Sequence, residues 1–255
     1  MTKVINIDNG FVFYEDEKCP RGLSGRHFIV EDNKTNKRYY FKPDSRLTGI
    51  NDRLTQLILS DIGLNSINTE WAKSNGTVFV VTEYVEGLKR LAESDICLLT
   101  EQGKEDVASF ILINYLFDNS DKFELFIDSL KNVYMLDLSD TILDEASLKL
   151  LNVKSNYETV SWFKNHLIET IKERFGSGVM YKIAKKLKQE LSEEVILNVL
   201  EKIGQIEIEN YNAFFSDLSE FFGDDISKVY RVFLESFIKS AEIVNDFYYS
   251  PKDDN

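Results

Sequence analysis

The feature that most constrains the fold is a change in the spacing of the apolar residues along the chain. Before residue 88 the apolar residues come in short runs between turn residues, a pattern typical of β-strands. These runs cover residues 11–14, 26–31, 38–41, 70–73 and 77–84. One helix is predicted among them, at residues 51–63, where the apolar spacing is helical and the run stops at a glycine.

The second part of the chain is predicted to be largely helical. A helix is expected at residues 105–117 and a short strand at 132–138, and from about residue 144 the spacing is helical, with helices at 156–175, 179–191, 193–203, 211–222 and 226–248. We therefore predict an α+β fold with a β-rich domain at residues 1–87 and a helical domain at 88–255. A ligand is expected in a cleft between two such lobes.

Charge and composition exclude several classes of function. A net charge of −13 argues against a binder of nucleic-acid backbones, which carries a basic face. Two cysteines far apart and two histidines give no material for a zinc site or a disulfide framework, so a reducing cytoplasm is the expected compartment. No apolar stretch reaches the roughly 20 residues that span a membrane, and no export signal or membrane anchor is expected.

Two early sequence features have the residue types that hold a nucleotide's phosphates. Gly22, Ser24 and Gly25 lie in a short segment between two strand-like runs, where backbone amides and a hydroxyl can cover phosphates. Lys42 ends a predicted strand, from which its ammonium group can reach them. Each feature also has a simple structural interpretation, as an ordinary hairpin turn and a solvated strand-end lysine.

The strand ending in Phe41 and Lys42 begins a wider resemblance. It is followed by Asn51 and Asp52, at the start of a predicted helix that closes on Gly63. This order resembles the HipA-like (phosphatidylinositol-kinase-like) bacterial kinase family. The resemblance implies a two-lobed protein-kinase-like fold in which an acid on this helix pairs with the strand lysine. Here the acid is Asp52, which is shorter than the glutamate of the family.

Three later segments extend the resemblance. Residues 79–87 are similar to the linker between kinase lobes, whose backbone would hold an adenine ring through Glu83, Tyr84 and Val85. Residues 114–122 resemble the catalytic loop, with Asp121 at the catalytic aspartate, and the loop-and-strand segment as a whole covers 114–141. Residues 133–137 resemble the strand that delivers the metal-binding aspartate, which implies that role for Asp137.

Two residues depart from the family pattern. Lys122 stands where the family has arginine, which keeps the charge but loses the planar fork. Phe126 falls near the metal-binding asparagine, and a phenyl ring cannot coordinate magnesium. Glu124 or Asp128 are the nearby oxygen donors that suit this ion.

The resemblance implies an ATP- and Mg²⁺-dependent kinase that transfers the γ-phosphate to a serine or threonine of a protein substrate. Lys42 and Asp121 would be its catalytic residues, and Asp137 with Glu124 its metal ligands. The altered metal position keeps open a catalytically silent pseudokinase module that binds a protein partner. Nucleotidyl transfer on the same scaffold is a third alternative. The simplest interpretation of the aspartates remains that they are solvated turn acids in a chain with 43 acidic residues.

Overall fold

The computed structural model describes residues 4–15, 28–41, 46–116, 124–136 and 193–249. It divides into two compact units. The first comprises Met1–Arg90 and Asn119–Ile142, and the second comprises Leu91–Asp118 and Leu143–Asn255. The helices predicted at 156–175 and 179–191 lie outside the described residues.

The first unit is built on a six-stranded sheet. Its strands are β1 (Val4–Asn6), β2 (Phe11–Glu15), β3 (Phe28–Asp32), β4 (Arg38–Phe41), β5 (Thr69–Ser74) and β6 (Thr77–Glu83). They lie in the order β1-β5-β6-β4-β3-β2, with β1 parallel to β5 and every other pair antiparallel. The five predicted strands are confirmed with small shifts at their ends, and the short β1 is an addition.

An apolar cluster covers one face of this sheet. Alternate residues of neighbouring strands meet there in register, as where Phe28 lies opposite Phe41 and Phe41 opposite Val81. Because strand side chains alternate between faces, residues two apart share this cluster. Its buried members are Ile7, Val30, Tyr39, Phe41, Ala72 and Val81.

Helix α1 (Arg46–Asp61) packs on the opposite face, against β5 and β6. It begins five residues before the predicted start at Asn51, so Asn51 and Asp52 lie in its second turn and do not open it. Gly49 explains the difference, because glycine costs a helix about 1 kcal/mol relative to alanine and made residues 46–50 a weak helical signal. A Cβ at Gly49 would lie 3.1 Å from the Cβ of Val80, so glycine permits the close approach of helix and sheet.

A second, three-stranded sheet completes the first unit. It consists of β7 (Lys89–Arg90), β8 (Glu124–Ile127) and β9 (Val133–Leu136), in that order and antiparallel throughout. The strand predicted at 132–138 is confirmed as β9. Its two partners are additions to the sequence-based assignment.

The second unit is helical in its described part. It contains α2 (Glu101–Leu116), α3 (Glu193–Gly204), α4 (Asn212–Phe222) and α5 (Asp224–Tyr249), with short 3₁₀ turns at Glu93–Leu98 and Ile208–Tyr211. Helix α5 packs on α3 and α4, and α2 contacts α3. Phe214, Phe215 and Tyr230 are buried in this packing, which confirms the predicted helices of the last sixty residues.

The α+β class is thus confirmed. Among the described residues, no helix has both the length and the apolar character needed to cross a membrane.

Candidate functional site

The strands next to the candidate phosphate-binding residues end at the same level of the sheet. Glu15, the last residue of β2, lies opposite Phe28, the first residue of β3, and Phe28 lies opposite Phe41, the last residue of β4. Gly22, Ser24 and Gly25 lie in the connection between β2 and β3, and Lys42 follows Phe41 directly. These four residues are outside the described part of the chain, whereas Phe28 and Phe41 at the neighbouring strand ends pack in the apolar cluster.

The linker residues Glu83, Tyr84 and Val85 lie at the end of β6. The N–H of Glu83 donates to the carbonyl of Asn68 at 2.8 Å, and the N–H of Tyr84 donates to the carbonyl of Arg38 at 2.8 Å. These bonds continue the sheet past the end of β6. The linker therefore starts from a fixed position beside β4, and the half-buried Val85 is the first residue beyond it.

A polar network fixes the side chain of Glu83. The Nδ2 of Asn68 donates to Glu83 Oε2 at 3.2 Å and to Glu70 Oε1 at 3.3 Å, and the hydroxyl of Tyr39 donates to Glu70 Oε1 at 3.2 Å. Burial, together with the nearby Glu70 carboxylate, raises the pKa of Tyr39 above its ordinary value. The Glu83 carboxylate is thus part of the support of the linker.

Two tyrosine rings meet where the linker leaves the sheet. Tyr40 and Tyr84 have ring centroids 5.1 Å apart, with the planes tilted by 51°. Tyr40 lies opposite Thr82, so the side chains of Tyr40 and Thr82 share one face of the sheet. Helix α1 packs on the same face farther along the strands. Lys42 is two residues beyond Tyr40 in sequence.

Asp52 lies on a firmly anchored turn of α1. Its neighbour Asn51 is buried, and the guanidinium of Arg53 lies 5.0 Å from the centre of the Trp71 ring on β5. Arg53 Nη1 also donates to the carbonyl of Thr69. Asp52 itself is half-buried. Its backbone is therefore held by contacts on either side in the sequence.

The β8–β9 hairpin connects the two remaining acidic candidates in sequence. Asp121 precedes Glu124, the first residue of β8, by three positions, and Asp137 directly follows Leu136, the last residue of β9. Glu124 and Leu136 lie opposite each other, and we call this the open end of the hairpin. Asp121 and Asp137 themselves are outside the described residues.

Glu124 at the open end makes an ion pair with Arg90 of β7. The Glu124 side chain is 29% exposed and that of Arg90 is 64% exposed, so water reaches both charges. An ion pair that exposed contributes little to stability. The Glu124 carboxylate can therefore exchange this partner for another cation at small cost.

Asp128 lies at the other end of β8, which we call the turn end. Its carboxylate accepts hydrogen bonds from the N–H groups of Leu130 and Asn132 at 2.8 and 2.9 Å, from Asn132 Nδ2 at 2.8 Å and from the Tyr134 hydroxyl at 3.3 Å. Desolvation acts to raise the pKa of Asp128, but these donors outweigh it and hold the pKa below its ordinary value. They also close a turn in which Lys131 adopts a φ of 72°.

Phe126 is in the middle of β8, opposite Arg90 on one side and Tyr134 on the other. It is thus a strand residue that packs between two neighbours. Among the described residues, no group of three or more histidine, cysteine or acidic side chains is arranged to hold a metal ion.

Sequence reasoning missed two residues that connect α1 to β9. Gln56 Nε2 donates to the carbonyl of Met135 at 3.0 Å, and Asn65 Nδ2 donates to the carbonyl of Val133 at 3.1 Å. The partners are 79 and 68 residues apart in sequence. The available signal was Gln56 itself, a polar residue on the buried side of α1, between the apolar Leu54 and Ile58.

No protein-family model matches the chain, and no curated protein matches it. Among solved structures, the chain is similar to the proinflammatory kinase CtkA of Helicobacter pylori, with a TM-score of 0.58. The match covers 96% of this chain and 98% of that one, at 8% sequence identity. An identity this low shows similarity of fold alone. The chain therefore has a kinase-like fold.

Proposed function

We propose that the chain is an ATP-dependent, two-lobed kinase of HipA-like type that transfers the γ-phosphate to a serine or threonine of a protein substrate in the cytoplasm. The observation that carries the proposal is the contact between α1 and β9. It joins the helix of Asp52 to the strand that precedes Asp137, across 79 residues of sequence and within one unit. Phosphoryl transfer needs phosphate-binding and metal-binding groups assembled in this way.

The nucleotide would lie along the α1 side of β4. In the proposal Glu83, Tyr84 and Val85 flank the adenine, and Lys42 meets the phosphates together with the turn of Gly22, Ser24 and Gly25. Glu83 lies opposite Tyr39, three residues before Lys42, which corresponds to about 10 Å along an antiparallel strand. That length suits a ligand with its base at one end and its phosphates at the other.

Asp52 would orient Lys42 in this arrangement. The anchoring of its helical turn by Arg53 on Trp71 supports such a role, because an orienting group must itself be held in place. The side chain of aspartate is one methylene shorter than that of glutamate. The close approach of α1 to β6 at Gly49 brings the helix nearer to the sheet and shortens the reach required.

The chemistry would depend on Asp121 and the open end of the hairpin. Asp121 would accept the proton of the substrate hydroxyl, and Asp137 with Glu124 would hold Mg²⁺. When bound, the cation neutralises charge on the transferring phosphate. The oxygen donors fit this metal, since Mg²⁺ prefers carboxylate ligands, and the partner of Glu124 within the described residues is an exposed arginine.

Transfer of label from γ-³²P ATP to the chain or to a generic protein substrate tests the proposal. Wild-type protein should give Mg²⁺-dependent label. Asp121→Ala should lose at least about 100-fold in rate while it binds Mg·ATP as the wild type does, because a positioned base contributes about 10²–10⁴-fold. Full activity of Asp121→Ala would exclude that assignment. Label from the α-phosphate would instead indicate nucleotidyl transfer.

A silent kinase-like module is the second candidate, and Phe126 favours it. This residue packs within β8 and offers no oxygen to a metal. A silent module should show no Mg²⁺-dependent ATP affinity by calorimetry and yet retain a protein partner in pull-down. Mg²⁺-dependent binding followed by transfer would exclude this candidate.

A further inference from the structure

The edge of β9 carries the argument for a further role. Among the described strands, β9 pairs with β8 on one side only. The N–H of Asp128 donates to the carbonyl of Asn132 at 3.1 Å, which sets the alternation of the ladder. Val133 and Met135 therefore direct their carbonyl groups away from β8, since alternate residues of an antiparallel strand do so.

Two side-chain amides take the place of a neighbouring strand at this edge. They are the amides of Gln56 and Asn65, which donate to Met135 and Val133 at 3.0 and 3.1 Å. Together they bind both outward carbonyls of the described strand. We call this pair of contacts the amide clasp.

Gln56 is the more constrained member of the amide clasp. It is 5% exposed, and its Oε1 accepts a hydrogen bond from the N–H of Ile67 at 2.7 Å while its Nε2 donates to Met135. A buried amide is costly unless both ends are bonded. An apolar side chain of similar size could fill the same space but would not fix the distance between α1 and the β9 backbone.

The amide clasp lies one step from the proposed site on each element. Gln56 is four residues after Asp52, which is one helical turn on the same side of α1. Met135 is two residues before Asp137 in sequence, and Asp137 directly follows the last residue of β9. The Gln56–Met135 bond therefore joins the helical turn that follows Asp52 to the strand residue that precedes Asp137 by two positions in sequence.

We propose that Gln56, supported by Asn65, is a positioning residue that sets the metal-binding Asp137 relative to α1 and the lysine that Asp52 orients. This inference rests on the proposed function and extends it by naming how the phosphate-binding and metal-binding parts are kept in register. A displacement of α1 would then move β9 with it. Loss of the donor at Gln56 should weaken metal-dependent binding without removing any ligand of the metal.

Gln56→Glu is the sharpest test, because it keeps the size and the acceptor for Ile67 but replaces the donor to Met135 with an oxygen. Gln205→Glu, on an exposed residue of the second unit, is the matched control. We expect the Mg²⁺-dependent gain in ATP affinity to fall by about 10- to 100-fold, as for other residues that support metal ligands. Mg²⁺-free ATP affinity should change by less than about threefold in both variants.

Amide hydrogen exchange over residues 133–137, measured without nucleotide, separates the two proposals. Faster exchange in Gln56→Glu with an unchanged metal-dependent gain would overturn the positioning role. Unchanged exchange would overturn the amide clasp itself. No Mg²⁺-dependent binding by wild type would instead remove the proposed function, and the positioning role with it. If Gln56→Glu fails to fold, Asn65→Asp replaces it. Asn65 lies outside α1 and is only half-buried, and this substitution makes the same donor-to-acceptor change at the Val133 carbonyl. The same affinity and exchange measurements then test the proposal.

Discussion

The two ends of the β8–β9 hairpin each hold a carboxylate, and the two carboxylates differ in their partners. At the turn end, Asp128 accepts four hydrogen bonds, three from its own turn and one from the Tyr134 hydroxyl of β9. At the open end, the partner of Glu124 among the described residues is an exposed arginine, Arg90, from another strand. The two acids are only four positions apart, Glu124 as the first residue of β8 and Asp128 directly after its last residue.

The difference shows how a structural acid can be told from a candidate chemical one. A carboxylate bonded to local amides stabilises the turn and has its oxygens already engaged. A carboxylate in an exposed ion pair loses little when it changes partner. Of the two oxygen donors near Phe126, Glu124 therefore suits a metal and Asp128 suits a turn.

The largest effect that would test this contrast comes from Asp137, next to the open end. Asp137→Ala should abolish the Mg²⁺-dependent part of ATP affinity, because a small cation held by few carboxylates cannot lose one without losing most of its binding. Asp140→Ala, three residues later and past the strand, is the control and should bind as wild type does. Calorimetry with and without Mg²⁺ measures both.

Equal losses of Mg²⁺-dependent ATP affinity in the two variants would show that the overall negative charge of this segment matters. Asp137 would then not be a specific metal ligand. No loss in Asp137→Ala would remove the open end from the metal site.

The second effect is on stability and belongs to the turn end. Asp128→Ala should lower the free energy of unfolding by about 1–3 kcal/mol, because it leaves turn amides and the Tyr134 hydroxyl without their acceptor. Urea denaturation measures this change. ATP affinity under native conditions should stay at the wild-type value.

A loss of metal-dependent binding in Asp128→Ala, with stability unchanged, would reverse the contrast between the two ends. Asp128 would then be the ligand and Glu124 the structural acid.

The sequence predicted the large sheet well because its strands are long enough to show their own pattern. Residues 38–41 and 77–83 each carry β-type apolar residues next to clear turn signals. Strand β7 has only two residues, both charged, and its pairing partner lies more than thirty residues away. No local pattern can reveal a strand that exists through a distant partner.

The candidate site likewise has residues that a local sequence pattern can indicate and residues whose role depends on a distant partner. The roles of Lys42, Asp52 and Asp137 are predictions from short motifs, and the order of these motifs along the chain carries the information. Gln56 was missed because its role depends on a carbonyl 79 residues away, and carbonyl groups are common to all residue types. A polar residue on a buried helical face is the one trace that such a contact leaves in a sequence.

A smaller effect is expected from the open-end carboxylate itself. Glu124→Gln should reduce the Mg²⁺-dependent gain in ATP affinity by about fivefold, or roughly 1 kcal/mol, because an amide oxygen is a weaker ligand than a carboxylate. Arg90→Gln is the matched control, since it removes the same ion pair but leaves the carboxylate in place. It should keep or raise the metal-dependent affinity.

If both variants lose affinity equally, the ion pair is what matters and Glu124 acts through Arg90. Calorimetric titrations of the two variants, run side by side with wild type, distinguish these outcomes.

The smallest effect is a pH dependence at the turn end. Asp128→Asn keeps one acceptor oxygen for the turn amides but loses the second, so it should be modestly less stable than wild type at neutral pH. The folded pKa of Asp128 lies below its ordinary value of 3.8, so its contribution is fully present above that value and is lost as the pH falls through the folded pKa. The difference between wild type and Asp128→Asn should therefore be constant from pH 7 to about pH 5 and should shrink below about pH 4. A difference that stays constant down to about pH 3 would mean that the turn donors do not stabilise the charged form of Asp128, and its assignment as the structural acid would fail.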